Sequence, residues 1–176
     1  PEATLFVASS MPIRDVETFF PARTGGPRVL SNRGANGIDG TVSSAFGAAA
    51  VSGGPVVLLV GDVALAYDVG GLLAASRLGL ELKIVLLNND GGGIFHFLPI
   101  ATQGDAFEEH VATPTGLDFA RAAALYGLAH RRVETAEALA EGLAAPGSAI
   151  LEVRTGRAAN VRLHRAVWER VSAALR

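Results

Sequence analysis

Two polar turns carry the groups best suited to chemistry. Gly61 and Asp62 interrupt the apolar run Val56, Val57, Leu58, Leu59, Val60, and the stretch Asn88, Asn89, Asp90, Gly91, Gly92, Gly93 interrupts Ile84, Val85, Leu86, Leu87. Asp62 offers a hard anionic oxygen and Asn89 an amide oxygen, and a glycine-rich turn such as residues 91–93 can present a backbone carbonyl with no side chain in the way. Oxygen donors of this kind suit magnesium, which is held by few protein groups and completed by water and phosphate. The pair therefore points to a metal-bound phosphate ligand. Backbone N–H groups after Gly61 and at the following helix start favour the same anion. A plainer reading competes, in which Asp62 caps a helix and the asparagines only form a turn.

Positioning these turns requires a particular frame. Leu65, Val69, Leu72 and Leu73 recur at helical spacing between the two apolar runs. The segment therefore reads as strand, helix, strand, the unit that makes neighbouring parallel strands. Both polar turns then share the carboxyl edge of the sheet, where open parallel sheets bind ligands. Residues 4–8 read as a first strand, followed by a turn at Ser9, Ser10, Met11 and Pro12 into a helix, with Pro12 fitting its first position and Ser10 suiting its cap. Residues 28–30 read as a second strand ending in Ser31, Asn32, Arg33 and Gly34, where the planar guanidinium of Arg33 could grip a carboxylate. Residues 41–51 suit a helix close to the sheet, and residues 99–115 have little periodicity and suit a loop. Asp118 suits the cap of a helix reaching Tyr126; residues 129–133 suit a strand, 134–144 a helix and 149–153 a final strand. Asn160 suits the cap of a terminal amphipathic helix bearing Val161, Leu163, Val167, Trp168 and Val171, with Trp168 in the core or an interface. The sum is an α/β chain with a doubly wound, mostly parallel sheet of about six strands and helices on both faces.

Gly61 and Asp62, followed by Asn88 and Asn89 with Asn89 27 residues beyond Asp62, resemble the thiamine-diphosphate signature of a Gly-Asp-Gly start and an Asn-Asn finish. The third position departs from it, being Val63. A narrower resemblance accounts for the departure. The run Ser31, Asn32, Arg33, Gly34, Ala35, Asn36, Gly37, Ile38, Asp39, Gly40, together with Asn89 to Phe95 and Phe97, Leu98, Pro99, is similar to the 2-succinyl-5-enolpyruvyl-6-hydroxy-3-cyclohexene-1-carboxylate synthases of menaquinone biosynthesis, which also lack that glycine. The resemblance implies a single thiamine-diphosphate-binding domain over residues 1–176, the C-terminal part of a longer, cytoplasmic, homo-oligomeric enzyme. It implies decarboxylation of 2-oxoglutarate and conjugate addition of the succinyl unit to isochorismate, with the cofactor as electron sink. Magnesium or manganese would be held by Asp62, Asn89 and the carbonyl of Gly91. Gly61, Val63, Ala64 and Ile94 would contact the cofactor, and Ile38 would prop its two rings into a bent shape. Ser10, Arg14 and Arg33 would meet substrate carboxylates, and Phe95 and Leu98 would also meet substrate. From the residues themselves, the apolar group Ile94, Phe95 and Leu98 after three glycines suggests a mobile flap over the cofactor. The activating glutamate is expected on a missing pyrimidine-binding domain. An acetolactate synthase relative would share Asp62 and Asn89 without needing Arg14 and Arg33, and a non-catalytic nucleotide-binding module would use the same edge without thiamine.

Composition narrows the classes. A chain of 176 residues, 49% apolar and 18% charged with 21 glycines, suits one tightly turned α/β domain with a substantial core. A net charge of -2 gives no electrostatic case for nucleic acid or an anionic membrane, and no apolar run approaches the ~20 residues that span a bilayer. The first residues lack the basic and apolar regions of a signal peptide. With no cysteine, neither a disulfide framework nor a thiolate site is available, and His96, His110, His130 and His164 show no metal-ligand spacing.

Overall fold

The computed structural model describes residues 2–22, 24–34 and 37–176. Among the described residues six strands form one sheet: β1 (Thr4–Val7), β2 (Arg28–Leu30), β3 (Val56–Gly61), β4 (Lys83–Asn88), β5 (Ala129–Arg132) and β6 (Ala149–Arg154). Their order is β2-β1-β3-β4-β6-β5, and every pairing is parallel. The expected sheet is therefore present, parallel throughout. The order turns back between β1 and β3, so their carboxyl ends flank a topological switch point, the place where such sheets open a crevice.

The helices are α1 (Met11–Phe19), α2 (Thr41–Val51), α3 (Asp62–Tyr67), α4 (Leu73–Leu78), α5 (Asp105–Phe107), α6 (Phe119–Leu125), α7 (Ala136–Ala144) and α8 (Arg157–Ala174). Alternation along the strands assigns the faces. Leu58 and Val60 of β3, Ile84 and Leu86 of β4 and Ile150 of β6 join the main core with Val42 and Phe46 of α2, Leu65 of α3 and Phe119 of α6. Ala149 and Leu151, which flank Ile150 and so point the other way, pack with Val133 against Ala138, Leu139 and Leu143 of α7. Helices thus cover both faces. On the second face Leu59 and Leu87 are left only partly buried.

Four elements differ from the sequence reading. The single helix expected around Leu65 to Leu73 is broken into α3, a 3₁₀ turn (Val69–Leu72) and α4. The break frees Asp68 to cap α2, whose own cap residue is Gly40: the Asp68 carboxylate accepts from the Ser43 backbone N–H at 2.7 Å and the Ser43 hydroxyl at 3.0 Å. Gly71 is needed there because a Cβ would lie 2.7 Å from the Ser43 hydroxyl. Asp68→Ala is expected to cost about 1–2 kcal/mol in urea unfolding, the usual worth of a helix cap. The expected loop at residues 99–115 contains a 3₁₀ turn (Pro99–Thr102), α5 and a π-helical turn (Glu108–Ala112), all too short to leave a period in the sequence. Helix α8 begins at Arg157 after Gly156, so Asn160 lies within its first turn rather than at its cap. Finally, Ser10 precedes α1 without a side-chain cap bond, and Pro12 follows Met11 in the first turn. Asp118 does cap α6, accepting from Ala120 and Arg121, and Thr135 caps α7. Among the described residues no helix is long and apolar enough to cross a membrane.

Candidate functional site

The two polar turns meet because β3 and β4 are neighbours in register, Gly61 opposite Leu87. Asp62 is the first residue of α3 and only 2% exposed. Its Oδ2 accepts a 2.7 Å bond from the backbone N–H of Gly91. Burial pushes the Asp62 carboxyl above its ordinary value; backbone N–H groups of Gly91, Asp62 and Val63 pull it back, and the nearby Asp90 charge adds to the rise. A cation beside a carboxylate still held above its ordinary value would stabilise its ionised form.

The adjacent asparagines do different work. Asn88 is tied into β6: its Nδ2 donates to Glu152 Oε1 at 2.8 Å and its Oδ1 accepts from the Asp90 N–H at 3.1 Å. The amide nitrogen of Asn89 lies close against Gly93, where a Cβ would come within 2.5 Å of Nδ2. Its Oδ1 is buried with no hydrogen-bond partner among the described residues. An amide oxygen stranded in this way costs about 1–3 kcal/mol unless something else satisfies it. The glycines make the geometry possible. Gly91 sits at φ 132, where a Cβ would overlap the carbonyl oxygen of Ala112, and Gly92 donates to that same carbonyl at 2.7 Å. Asp90, at φ 57, accepts at Oδ1 from the N–H groups of Thr115 and Gly116 at 3.0 and 2.9 Å, tying the end of the 99–115 segment to the turn.

The orphaned Asn89 oxygen, the buried Asp62 carboxylate and a side-chain-free turn fit a hard divalent cation. No cluster of three His, Cys, Asp or Glu side chains with metal-holding geometry occurs among the described residues, and magnesium beside a phosphate needs none.

Both turns open into a cleft of about 980 Å³ at the switch point. Ser10, Arg14, Arg33, Ile38, Gly61, Asp62, Val63, Ala64, Asn89, Gly91, Ile94 and Phe95 all line it. Leu98 does not; it is 51% exposed beyond the 3₁₀ turn (Gly93–Phe97) that carries Ile94 and Phe95. The segment expected as a flap forms this 3₁₀ turn, with Phe95 at the rim. Ser10 adopts φ 74 and ψ -133, a strained backbone for a residue with a side chain, and its carbonyl accepts from Arg14 Nη1 at 2.7 Å. Arg33 Nη1 donates to Ser9 Oγ at 3.4 Å. Ala35 and Asn36, in the middle of the run around Arg33, lie outside the described residues. Ile38 packs partly on the main core.

Several lining residues were not legible in the sequence, among them Asp15, Thr113, Thr155 and Asn160. Thr113 at φ 46 gives no local signal, and Asn160 reaches the cleft only because α8 starts a turn earlier than its sequence suggests. Asp15 holds α1 against α8 through a 2.8 Å bond to His164 Nε2. Burial pushes the Asp15 carboxyl up, and His164 opposes the shift. The ring of His164 is 1% exposed and meets Phe19, Phe97 and Trp168 edge-on, so α1, the flap and α8 share one aromatic junction. Trp168 itself is half-exposed there.

A parallel sheet with a cleft at its switch point, oxygen donors at two strand ends and arginines across the opening has the makeup of an α/β domain for a phosphate-bearing cofactor. The family described as thiamine pyrophosphate enzyme, C-terminal TPP binding domain, matches residues 14–153, and the chain belongs to that family. Proteins named 2-succinyl-5-enolpyruvyl-6-hydroxy-3-cyclohexene-1-carboxylate synthase are similar to it. The one from Geobacillus thermodenitrificans (strain NG80-2) is 52% identical over 174 residues, 97% of this chain and 30% of the relative. The one from Myxococcus xanthus (strain DK1622) is 54% identical over 179 residues, 98% of this chain and 30% of the relative. The chain thus spans about a third of the length of these curated relatives. A crystal structure of a thiamin diphosphate-dependent enzyme from Mycobacterium smegmatis shares the fold, with a TM-score of 0.67 at 24% identity over 88% of this chain and 29% of that one.

Proposed function

We propose that the chain is the C-terminal, diphosphate-holding domain of a 2-succinyl-5-enolpyruvyl-6-hydroxy-3-cyclohexene-1-carboxylate synthase of menaquinone biosynthesis, a carboligase acting on 2-oxoglutarate and isochorismate. The observation that carries the reading is the stranded Asn89 Oδ1 in the same cleft as buried Asp62, Arg14 and Arg33. Thiamine diphosphate, when bound, supplies the electron sink for decarboxylation and carbon–carbon bond formation. Asp62, Asn89 Oδ1 and the Gly91 carbonyl would hold Mg2+, or Mn2+, against the diphosphate, with Gly61, Val63 and Ala64 beside it. Ile38 would support the bent cofactor. Ser10, Arg14 and Arg33 orient substrate carboxylates, a role suited to the fixed fork of guanidinium donors. Ile94 and Phe95 exclude water from the reacting face, and Leu98 joins them only if the flap moves inward.

The glutamate that activates the aminopyrimidine would come from an N-terminal pyrimidine-binding domain of the same or a partner subunit, in a cytoplasmic homo-oligomer. The similarity to relatives more than three times as long supports this division, since the chain covers 30% of them. The chain alone, mixed with thiamine diphosphate, Mg2+, 2-oxoglutarate and isochorismate, is expected to form no adduct, whereas the full-length protein forms the succinylated product. Calorimetry with thiamine diphosphate and Mg2+ against ATP, NAD and FAD separates this reading from a nucleotide-binding module. Loss of the succinylated product in full-length Arg14→Ala and Arg33→Ala variants, with cofactor binding retained, separates it from an acetolactate synthase type. Turnover by the chain alone, or intact product formation in both arginine variants, contradicts it.

A further inference from the structure

We propose that Glu152 is a positioning residue for the cation-binding turn: its carboxylate dictates which way the Asn88 amide faces, and thereby sets the backbone of Asp90 and Gly91. The inference rests on reading residues 89–91 as part of a cation and diphosphate site. Glu152 lies on β6, is 4% exposed and does not line the cleft, so it acts only through its neighbours.

Three donors converge on Glu152. Its Oε1 accepts from Asn88 Nδ2 at 2.8 Å and from Arg154 Nε at 2.6 Å, while Oε2 pairs with His130 Nε2 on the edge strand at 2.8 Å. Burial alone would raise the carboxyl, and these bonds outweigh it, holding Glu152 below its ordinary value. An ionised carboxylate only accepts. Asn88 must therefore present its NH2 to Glu152, which leaves Oδ1 for the N–H of Asp90 at 3.1 Å. The main chain is fixed at the same place, because the Asn88 carbonyl accepts from the Thr155 N–H at 3.0 Å. From there Asp90 enters the left-handed region at φ 57, and the next N–H, that of Gly91, reaches Asp62 Oδ2. Donation thus runs from the Asp90 N–H to Asn88 and from Asn88 to Glu152, which also takes His130, and it fixes the residue next to Gly91, the candidate carbonyl ligand.

The test is a polarity swap. In Glu152→Lys an ammonium that only donates replaces a carboxylate that only accepts. The amide at 88 then turns its oxygen toward residue 152, and the Asp90 N–H loses its partner. Titrating Mg2+ into the full-length protein with thiamine diphosphate present is expected to show the Mg2+ dissociation constant raised about tenfold, within the range seen when groups supporting metal ligands are removed. Amide hydrogen exchange at Asp90 and Gly91 should accelerate in the cation-free protein. Combining Glu152→Lys with Asn88→Asp moves the carboxylate to the other side of the same bond and restores an acceptor for Asp90. The double variant is therefore expected to return to within about threefold of the parent Mg2+ dissociation constant, recovering most of that tenfold loss. Unchanged Mg2+ affinity and unchanged exchange in Glu152→Lys overturn the proposal, as does a double variant whose losses simply add. If Glu152→Lys does not fold, the double variant decides by itself: parent-like affinity supports the proposal and lost affinity overturns it. If the full-length parent binds no thiamine diphosphate with Mg2+, the site reading fails, while the exchange rates of Asp90 and Gly91 still test the positioning role.

Discussion

Asp62→Asn is expected to raise the dissociation constant for thiamine diphosphate in the presence of Mg2+ by at least about 100-fold, or roughly 2.7 kcal/mol, while leaving the metal-free chain as stable as the parent or slightly more so. The two effects have opposite signs because Asp62 serves the ligand rather than the fold. The substituted amide keeps an oxygen to accept from the Gly91 N–H, the 2.7 Å bond of the parent. It also removes a charge whose burial already pushes the carboxyl up from its ordinary value. Calorimetry reads the first effect, and urea unfolding without cation reads the second. A variant that loses stability and keeps its cation-dependent binding would show that Asp62 is only a helix-capping residue.

Gly91→Ala is expected to destabilise the chain by about 3–5 kcal/mol, and to disorder the turn in whatever remains folded. Two costs add at this position. The backbone is at φ 132, where a side chain is strained, and the added Cβ would strike the main-chain carbonyl of Ala112, which cannot swing aside as a side-chain tip can. Movement of Ala112 also breaks its bond from the Gly92 N–H. Gly53→Ala, where a Cβ meets nothing within 4 Å, serves as the comparison and is expected to change stability by less than about 1 kcal/mol. Equal losses in the two variants would mean that the close approach of residues 91 and 112 does not hold in solution.

Those two positions also mark what could be read from residues alone. The strand ends at Gly61 and Asn88 were legible because each apolar run stops abruptly at polar residues, and parallel pairing then forces both turns to one edge. The cap of α6 at Asp118 was legible for a similar reason, being a local side-chain-to-backbone bond. The broken helix after Asp62 was not, because the carboxylate of Asp68 caps a helix 25 residues away. Nor was the division between Asn88 and Asn89. They are identical in type and adjacent in sequence, and only the position of Glu152 on β6 and of Gly93 beside the amide nitrogen of Asn89 makes one structural and leaves the other's oxygen free. Leu98, placed in the flap by its neighbours in sequence, lies just past the end of the 3₁₀ turn at Phe97, exposed and outside the cleft lining.

The most direct measurement is anomalous scattering from Mn2+ in crystals grown with thiamine diphosphate. A single strong peak is expected between the Asp62 carboxylate, Asn89 Oδ1 and the Gly91 carbonyl, with diphosphate oxygens completing its shell at the ~2 Å distances of a hard divalent ion. Manganese bound elsewhere with that position empty, or diphosphate seated in the cleft without any ion touching Asp62 and Asn89, would contradict the account.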